Sequence, residues 1–197
     1  DTMKRGVRWA NKTLFPRLVI GLYNGAAAQA QSLQSLAAAQ LAARVAQERG
    51  QPTLCFDAQV LQAEERRKRV SGWLREAIED GPIEPWWQPI LYADGTIAGF
   101  EALARWRGPD GQPISPAEFI PVAQSSGLMP ALTDLMLQRS LASLAQWRDE
   151  GLVGEAAYTS VNFPPSALLD PQFALYLSAA VAAHQLPASA LCIEITE

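Results

Sequence analysis

Glu101, Leu103 and Arg105 stand at alternate positions of an otherwise apolar stretch, Gly99-Phe100-Glu101-Ala102-Leu103-Ala104-Arg105-Trp106. Alternate residues of a strand share a face. A carboxylate and a guanidinium therefore project to one side, while Phe100, Ala102, Ala104 and Trp106 project to the other and can lie under helices. An anion and a cation on one face can meet a charged substrate or a metal ion together. The same pattern fits an edge strand with one wet face. Two later stretches repeat the alternation. In residues 158–163, Ser160 and Asn162 share a face opposite Thr159, Val161 and Phe163. In residues 191–197, Cys192, Glu194 and Thr196 share a face opposite Leu191, Ile193 and Ile195. Each stretch thus carries one polar or ionisable group near its C-terminal end: Glu101, Asn162 and Glu194. Two carboxylates and an amide oxygen are hard ligands suited to Mg²⁺ or Mn²⁺, and the catalytic groups of a parallel barrel gather at the C-terminal ends of its strands. Chance alternation produces the same picture, and these residues alone leave both readings open.

The elements that must position them are legible from periodicity. Residues 14–23 read as a strand ending at or near Gly21, and residues 29–49 as an Ala- and Leu-rich helix stopped by Gly50. Residues 53–56 form a short strand. A helix over residues 60–80 places Val70, Trp73, Leu74, Ala77 and Ile78 on one stripe. Its other face carries Glu64, Glu65, Arg66, Arg67, Lys68 and Arg69, a charge run read as a solvated face. Gly81-Pro82 breaks that helix and marks a domain boundary. Beyond it, residues 86–92 and 96–106 flank Ala93-Asp94-Gly95, a hairpin signal. Ser115-Pro116-Ala117-Glu118 is a capping box with proline at the first helical position. A long helix follows over residues 130–150 with Leu137, Leu141 and Leu144 on one side. Strand 157–163, helix 171–184 and strand 191–197 complete the pattern. A hairpin followed by helix–strand units predicts an α/β fold with parallel strands covered by helices, as in a barrel or a doubly wound sheet.

Composition narrows the chemistry. Residues 1–83 carry 12 basic and 8 acidic side chains, whereas residues 84–197 carry 4 basic and 12 acidic. So acidic a part is poorly suited to gripping a nucleic-acid polymer, which needs phosphate neutralisation. It suits divalent cations bound through oxygen. The single histidine, His184, argues against a zinc site of the usual kind. Cys55 and Cys192 lie far apart without metal-type spacing and read as reduced thiols of a cytoplasmic protein. No apolar run is long enough to span a bilayer; a membrane anchor elsewhere in a longer parent protein is compatible with this.

From about Glu84 the chain resembles an EAL domain, the phosphodiesterase that hydrolyses the bacterial second messenger cyclic di-GMP. The matching segments are Trp87-Gln88-Pro89-Ile90, Glu101-Ala102-Leu103-Ala104-Arg105-Trp106, Pro116-Ala117-Glu118-Phe119-Ile120-Pro121, Ser160-Val161-Asn162 and Glu194-Ile195-Thr196-Glu197, in that order. The resemblance implies a TIM-like (β/α) barrel whose first strand runs antiparallel to the others. It also implies Glu101, Asn162 and Glu194 as ligands of a two-metal Mg²⁺ or Mn²⁺ site, with Gln88, Leu103 and Arg105 on the dinucleotide and Arg105 on a phosphate. Leu103 would lie beside a guanine, Glu197 would support the site, and a homodimer through the EAL domain would form. The reaction implied is hydrolysis of one phosphodiester to linear pGpG. Glu118 is read as the capping-box acid, and His184 is given no catalytic role.

Two smaller departures and one larger one qualify this. Gln124 stands where the family often has glutamate, and Phe163-Pro164-Pro165 follows the asparagine. The larger departure is length: residues 84–197 are 114 in number, against about 250 for a barrel of this type. The family's aspartate pair, catalytic lysine and later glutamate fall beyond residue 197, so the barrel is expected to be incomplete in this chain and its catalytic residues to lie outside it. Residues 14–57 resemble the tail of a GGDEF (diguanylate cyclase-type) domain without its motif, with Arg44 and Gln47 where that family has tyrosine and lysine. The domain reading is therefore 1–58 as a degenerate GGDEF-like remnant of α+β type, 59–82 as a connector helix, and 83–197 as the N-terminal half of an EAL domain. An upstream sensor or degenerate cyclase domain in the parent chain is the implied partner. The alternative function is a receptor that holds cyclic di-GMP without hydrolysing it.

Overall fold

Strand and helix alternate in nearly the order that periodicity predicts; the computed structural model of the protein describes residues 7–10, 12–15, 18–25 and 32–195. Two compact units are present, residues 1–66 and residues 67–197. The helix expected to end at Gly81-Pro82 does end at Asp80, while the division between the units falls within it.

In the first unit, β1 (Val7–Trp9) pairs antiparallel with β2 (Lys12–Leu14), and β3 (Ile20–Leu22) pairs parallel with β4 (Thr53–Cys55). Of the strand expected over residues 14–23, Leu14 ends β2 and Ile20–Leu22 forms β3. Residues 16 and 17 of that expected strand lie outside the described residues. Helix α1 (Ser32–Glu48) links β3 to β4; residues 29–31, the start of the predicted helix, lie outside the described residues. Its end is a Schellman turn, with Gly50 at φ +68°, Gly50 N donating to Gln47 O and Gln51 N to Ala46 O. Gly21 permits α1 to approach β3, because a Cβ there would sit 1.9 Å from Ala39 O.

Asp57 caps α2 (Ala58–Asp80) by accepting from Val60 N at 2.8 Å. The charged run on this helix is not uniformly solvated. Glu64 is 8% exposed and pairs with Arg44 of α1, which also holds Glu48 at 2.8 Å. A carboxylate at the head of an unbroken charge run looks like surface in sequence, yet the ion pair with a cation twenty positions away makes its burial tolerable.

The second unit is built on β5 (Ile83–Leu91), β6 (Ile97–Arg107), β7 (Pro113–Ile114), β8 (Tyr158–Phe163) and β9 (Leu191–Ile195). β5 and β6 form the predicted hairpin. Its turn is closed by Gly95 at φ +85° and by Asp94 Oδ1, which accepts from Thr96 N and Thr96 Oγ1 and so has its pKa lowered. The sheet runs β5-β6-β8-β9, antiparallel in the first pair and parallel in the next two, with β7 antiparallel on the end of β6. Parallel neighbours need long crossovers. Helices α3 (Pro116–Ser125) and α4 (Met129–Asp149) supply one, and α5 (Phe173–Ala183) the other.

The apolar stripe of α2, Val70, Leu74 and Ala77, is buried in the same core as Ile83, Trp106, Phe119, Leu137, Leu141, Leu144, Val161 and Phe163. Trp106 meets Phe119 edge-on with ring centroids 5.6 Å apart. Arg139 of α4 donates to the carbonyls of Ile83 and Gly81, and Arg148 donates to Ala157 O at 2.7 Å. These arginines occupy carbonyls where the chain enters the sheet at β5 and at β8.

Candidate functional site

Strand register decides which side chains meet. Gln88 stands opposite Glu101, Trp86 opposite Leu103, and Glu84 opposite Arg105 across β5 and β6. Glu101 pairs with Ser160, Ser160 with Cys192, and Asn162 with Glu194 across β6, β8 and β9. All of these lie on the face opposite the helix-covered core, so the alternation read in three separate segments becomes one continuous polar surface.

β8 acts as the middle member of this surface. Asn162 Nδ2 donates to Glu101 Oε1 at 3.0 Å on one side. Ser160 Oγ donates to Glu194 Oε1 on the other. One strand thereby orients the carboxylates of both its neighbours, and Asn162 is left with its own amide oxygen as an acceptor. Ser160 is 0% exposed. Its part in holding Glu194 was missed in sequence, although its position on the face of Asn162 is a signal that could have found it.

Arg105 is half-buried. Its Nη1 donates to Ala104 O at 2.9 Å, and its guanidinium carbon lies 5.8 Å from the centroid of the Trp86 ring. Gln88 is exposed and Leu103 half-buried. Between the C-terminal ends of β6 and β8 and the helices α3 and α4 lies a cavity of about 370 Å³, lined by Glu101, Leu103, Arg105, Asn162, Gln124 and Met129 among others. Five of the six residues singled out in sequence therefore fall on adjoining positions of β6, β8 and β9, and Gln88 adjoins them from β5. Glu197 lies outside the described residues. His184 follows the last residue of α5, with Nε2 3.1 Å from Gln138 Oε1, and takes no part in this surface. Ser115 caps α3 as predicted, its Oγ accepting from Ala117 N at 3.3 Å, one residue earlier than a capping box requires.

The donor chemistry fits a hard divalent cation. Glu101, Glu194 and the amide oxygen of Asn162 are oxygen donors on three adjacent strands, and their orientation is fixed by neighbours rather than by solvent, as ligands require. Among the described residues no three His, Cys, Asp or Glu side chains converge, so the set found here is two carboxylates and an amide.

The EAL domain family matches residues 71–197. The chain belongs to this family. It is 39% identical over 104 residues to the probable cyclic di-GMP phosphodiesterase PdeG of Escherichia coli, an alignment covering 51% of this chain and 20% of PdeG. Among solved structures it resembles the PaMucR phosphodiesterase in complex with c-di-GMP, with 28% identity, a TM-score of 0.59, and coverage of 66% of this chain and 52% of that one. It also resembles the FimX EAL domain of Pseudomonas aeruginosa bound to c-di-GMP, with 27% identity, a TM-score of 0.55, and coverage of 64% and 49%. The alignments thus span a fifth of PdeG and about half of each EAL structure. The second unit is an α/β domain of EAL type. No helix among the described residues is long and apolar enough to cross a membrane.

Proposed function

We propose that this chain carries the first half of an EAL-type phosphodiesterase site that takes cyclic di-GMP and cleaves it to linear pGpG. The observation that carries the reading is the pair of carboxylates, Glu101 and Glu194, each hydrogen-bonded by a side chain of the strand between them, in a chain of the EAL family. Glu101, Asn162 and Glu194 would hold Mg²⁺ or Mn²⁺. When bound, a pair of such cations neutralises the phosphodiester and makes water a better nucleophile. Arg105 presents a guanidinium fork to a phosphate, Gln88 offers an amide from β5, and Leu103 gives an apolar contact to a base. The general base and the remaining cation ligands come from outside residues 84–197 in this reading.

The fold extends in the same way. The antiparallel β5 and the parallel β6, β8 and β9 correspond to the first strands of a TIM-like barrel that further strands would close. Residues 1–58 correspond to a degenerate GGDEF-like remnant, residues 59–82 to a connector, and residues 83–197 to the EAL half, with an EAL–EAL homodimer and a cytoplasmic location.

The test is turnover of cyclic di-GMP by the parent protein with Mg²⁺ or Mn²⁺, set beside Glu101→Ala. Linear pGpG from the wild type, and loss of at least about a hundredfold in the variant, is the expected result. Tight nucleotide binding without turnover in the presence of either cation would assign the chain to a receptor instead.

A further inference from the structure

Trp86 is a large aromatic residue of the polar surface that the proposed function does not use. Trp86 is 57% exposed, although it sits within a nine-residue strand with Leu103 opposite. Its neighbour Trp87 packs on the other face, edge-on to Phe100 and Trp147 with centroids 6.4 and 4.8 Å away. Trp86 has one charged companion, the Arg105 guanidinium at 5.8 Å from its ring, a cation–π distance. The strand also brings Glu84 to the same face, opposite Arg105. Glu84 is exposed, and no hydrogen bond or ion pair holds its carboxylate among the described residues. Glu84, Trp86 and Arg105 line a cavity of about 550 Å³, bounded further by Pro113, Ser115 and Pro116.

We infer that Trp86 and Glu84 form a guanine-recognition cleft beside Arg105, an inference that rests on the cyclic di-GMP reading above. Three chemistries meet in it. The indole offers a flat surface on which any base stacks. The carboxylate is an acceptor only, and guanine presents two donors, N1–H and the 2-amino group, on one edge. Adenine presents an unprotonated N1 on that edge, which a carboxylate repels. Arg105 supplies the cation for the attached phosphate. Trp86 thus gives affinity without base preference, and Glu84 gives the preference.

Calorimetric titration of the parent protein with GMP, AMP and cyclic di-GMP tests this, using Trp86→Ala, Trp86→Phe and Glu84→Gln. Removing the ring is expected to weaken GMP and cyclic di-GMP at least about tenfold, with Phe recovering most of the loss. Glu84→Gln is expected to reduce the preference for GMP over AMP about tenfold while leaving AMP binding unchanged. Far-UV circular dichroism checks that the variants fold; should Trp86→Ala not fold, the GMP-to-AMP ratio of Glu84→Gln decides alone. Cyclic di-GMP bound by the wild type with equal affinity in all three variants overturns the cleft and leaves the proposed function standing. GMP bound through Trp86 without binding of cyclic di-GMP overturns that function and keeps the cleft. No binding of either guanine nucleotide overturns both.

Discussion

β8 and β9 are neighbours with the same pattern, and their two faces have opposite fates. At the polar pair Asn162 and Glu194 they behave alike, since these register partners are both half-buried. On the apolar face they diverge. Val161 and Phe163 of β8 are 1% and 3% exposed, whereas their partners Ile193 and Ile195 of β9 are 39% and 43% exposed. α4 and α5 supply apolar side chains to the core that holds Val161 and Phe163, while Ile193 and Ile195 lie outside it. Alternation states which side of a strand is apolar, but whether that side is covered depends on elements that another part of the chain must bring.

Register pairs allow this difference to be measured. The largest contrast is expected between Phe163→Ala and Ile195→Ala. Truncating the buried ring should cost about 3–5 kcal/mol, while the exposed isoleucine should cost less than about 1 kcal/mol; equal shifts in urea midpoint would break the comparison. The pair Ser160 and Cys192 comes next. Ser160→Ala removes a buried hydroxyl from a carboxylate and should cost about 1.5–3 kcal/mol. Cys192→Ala, at an exposed position of the neighbouring strand, should be close to neutral.

A smaller effect is expected at the polar pair Asn162 and Glu194, where the two strands match. Asn162→Ala removes a half-buried donor to Glu101 and should lower stability by about 1 kcal/mol. In the parent protein the same change should weaken Mn²⁺ binding by about ten- to a hundredfold if Asn162 works in the proposed site. An unchanged Mn²⁺ isotherm would separate the hydrogen bond from any ligand role.

The smallest effect is one of pH. Burial, and next the hydrogen bond and charge of Asp134, push the Tyr176 hydroxyl up to about 12 from its usual value of 10.0. A phenol whose pKa is raised on folding favours the folded state while it is protonated. Its contribution is intact below pH 10 and is lost as pH rises from there toward 12. Absorbance titration near 295 nm should show a late-ionising phase in the wild type that Tyr176→Phe removes; the same titration curve for both proteins would refute the assignment.

The domain was more legible than the details of its site. The 3.6-residue stripe of α2, the hairpin around Asp94-Gly95, and the cap at Ser115 are local signals, since each is read within a few residues of where it acts. Glu64 was misjudged for the opposite reason. Its partner Arg44 is twenty residues away and only chain folding brings them together. Ser160 was passed over because a small hydroxyl on a polar face has no chemical signature until a carboxylate is placed against it. Trp86 was read as part of a strand, with nothing in its neighbours to say that it would be left in solvent.

The sequence by itself determined the α/β order of elements, the face on which Glu101, Asn162 and Glu194 lie, and the motifs that mark an EAL domain, because period and local capping are properties of contiguous residues. Tertiary structure alone decided that Asn162 holds Glu101 and Ser160 holds Glu194, that Arg105 lies over Trp86, and that Phe163 is buried while Ile195 is not. The pairings of β6 with β8 and of β8 with β9 join residues 59 and 32 positions apart in the chain, as in Glu101 with Ser160 and Asn162 with Glu194, and register is fixed by packing the whole sheet against its helices.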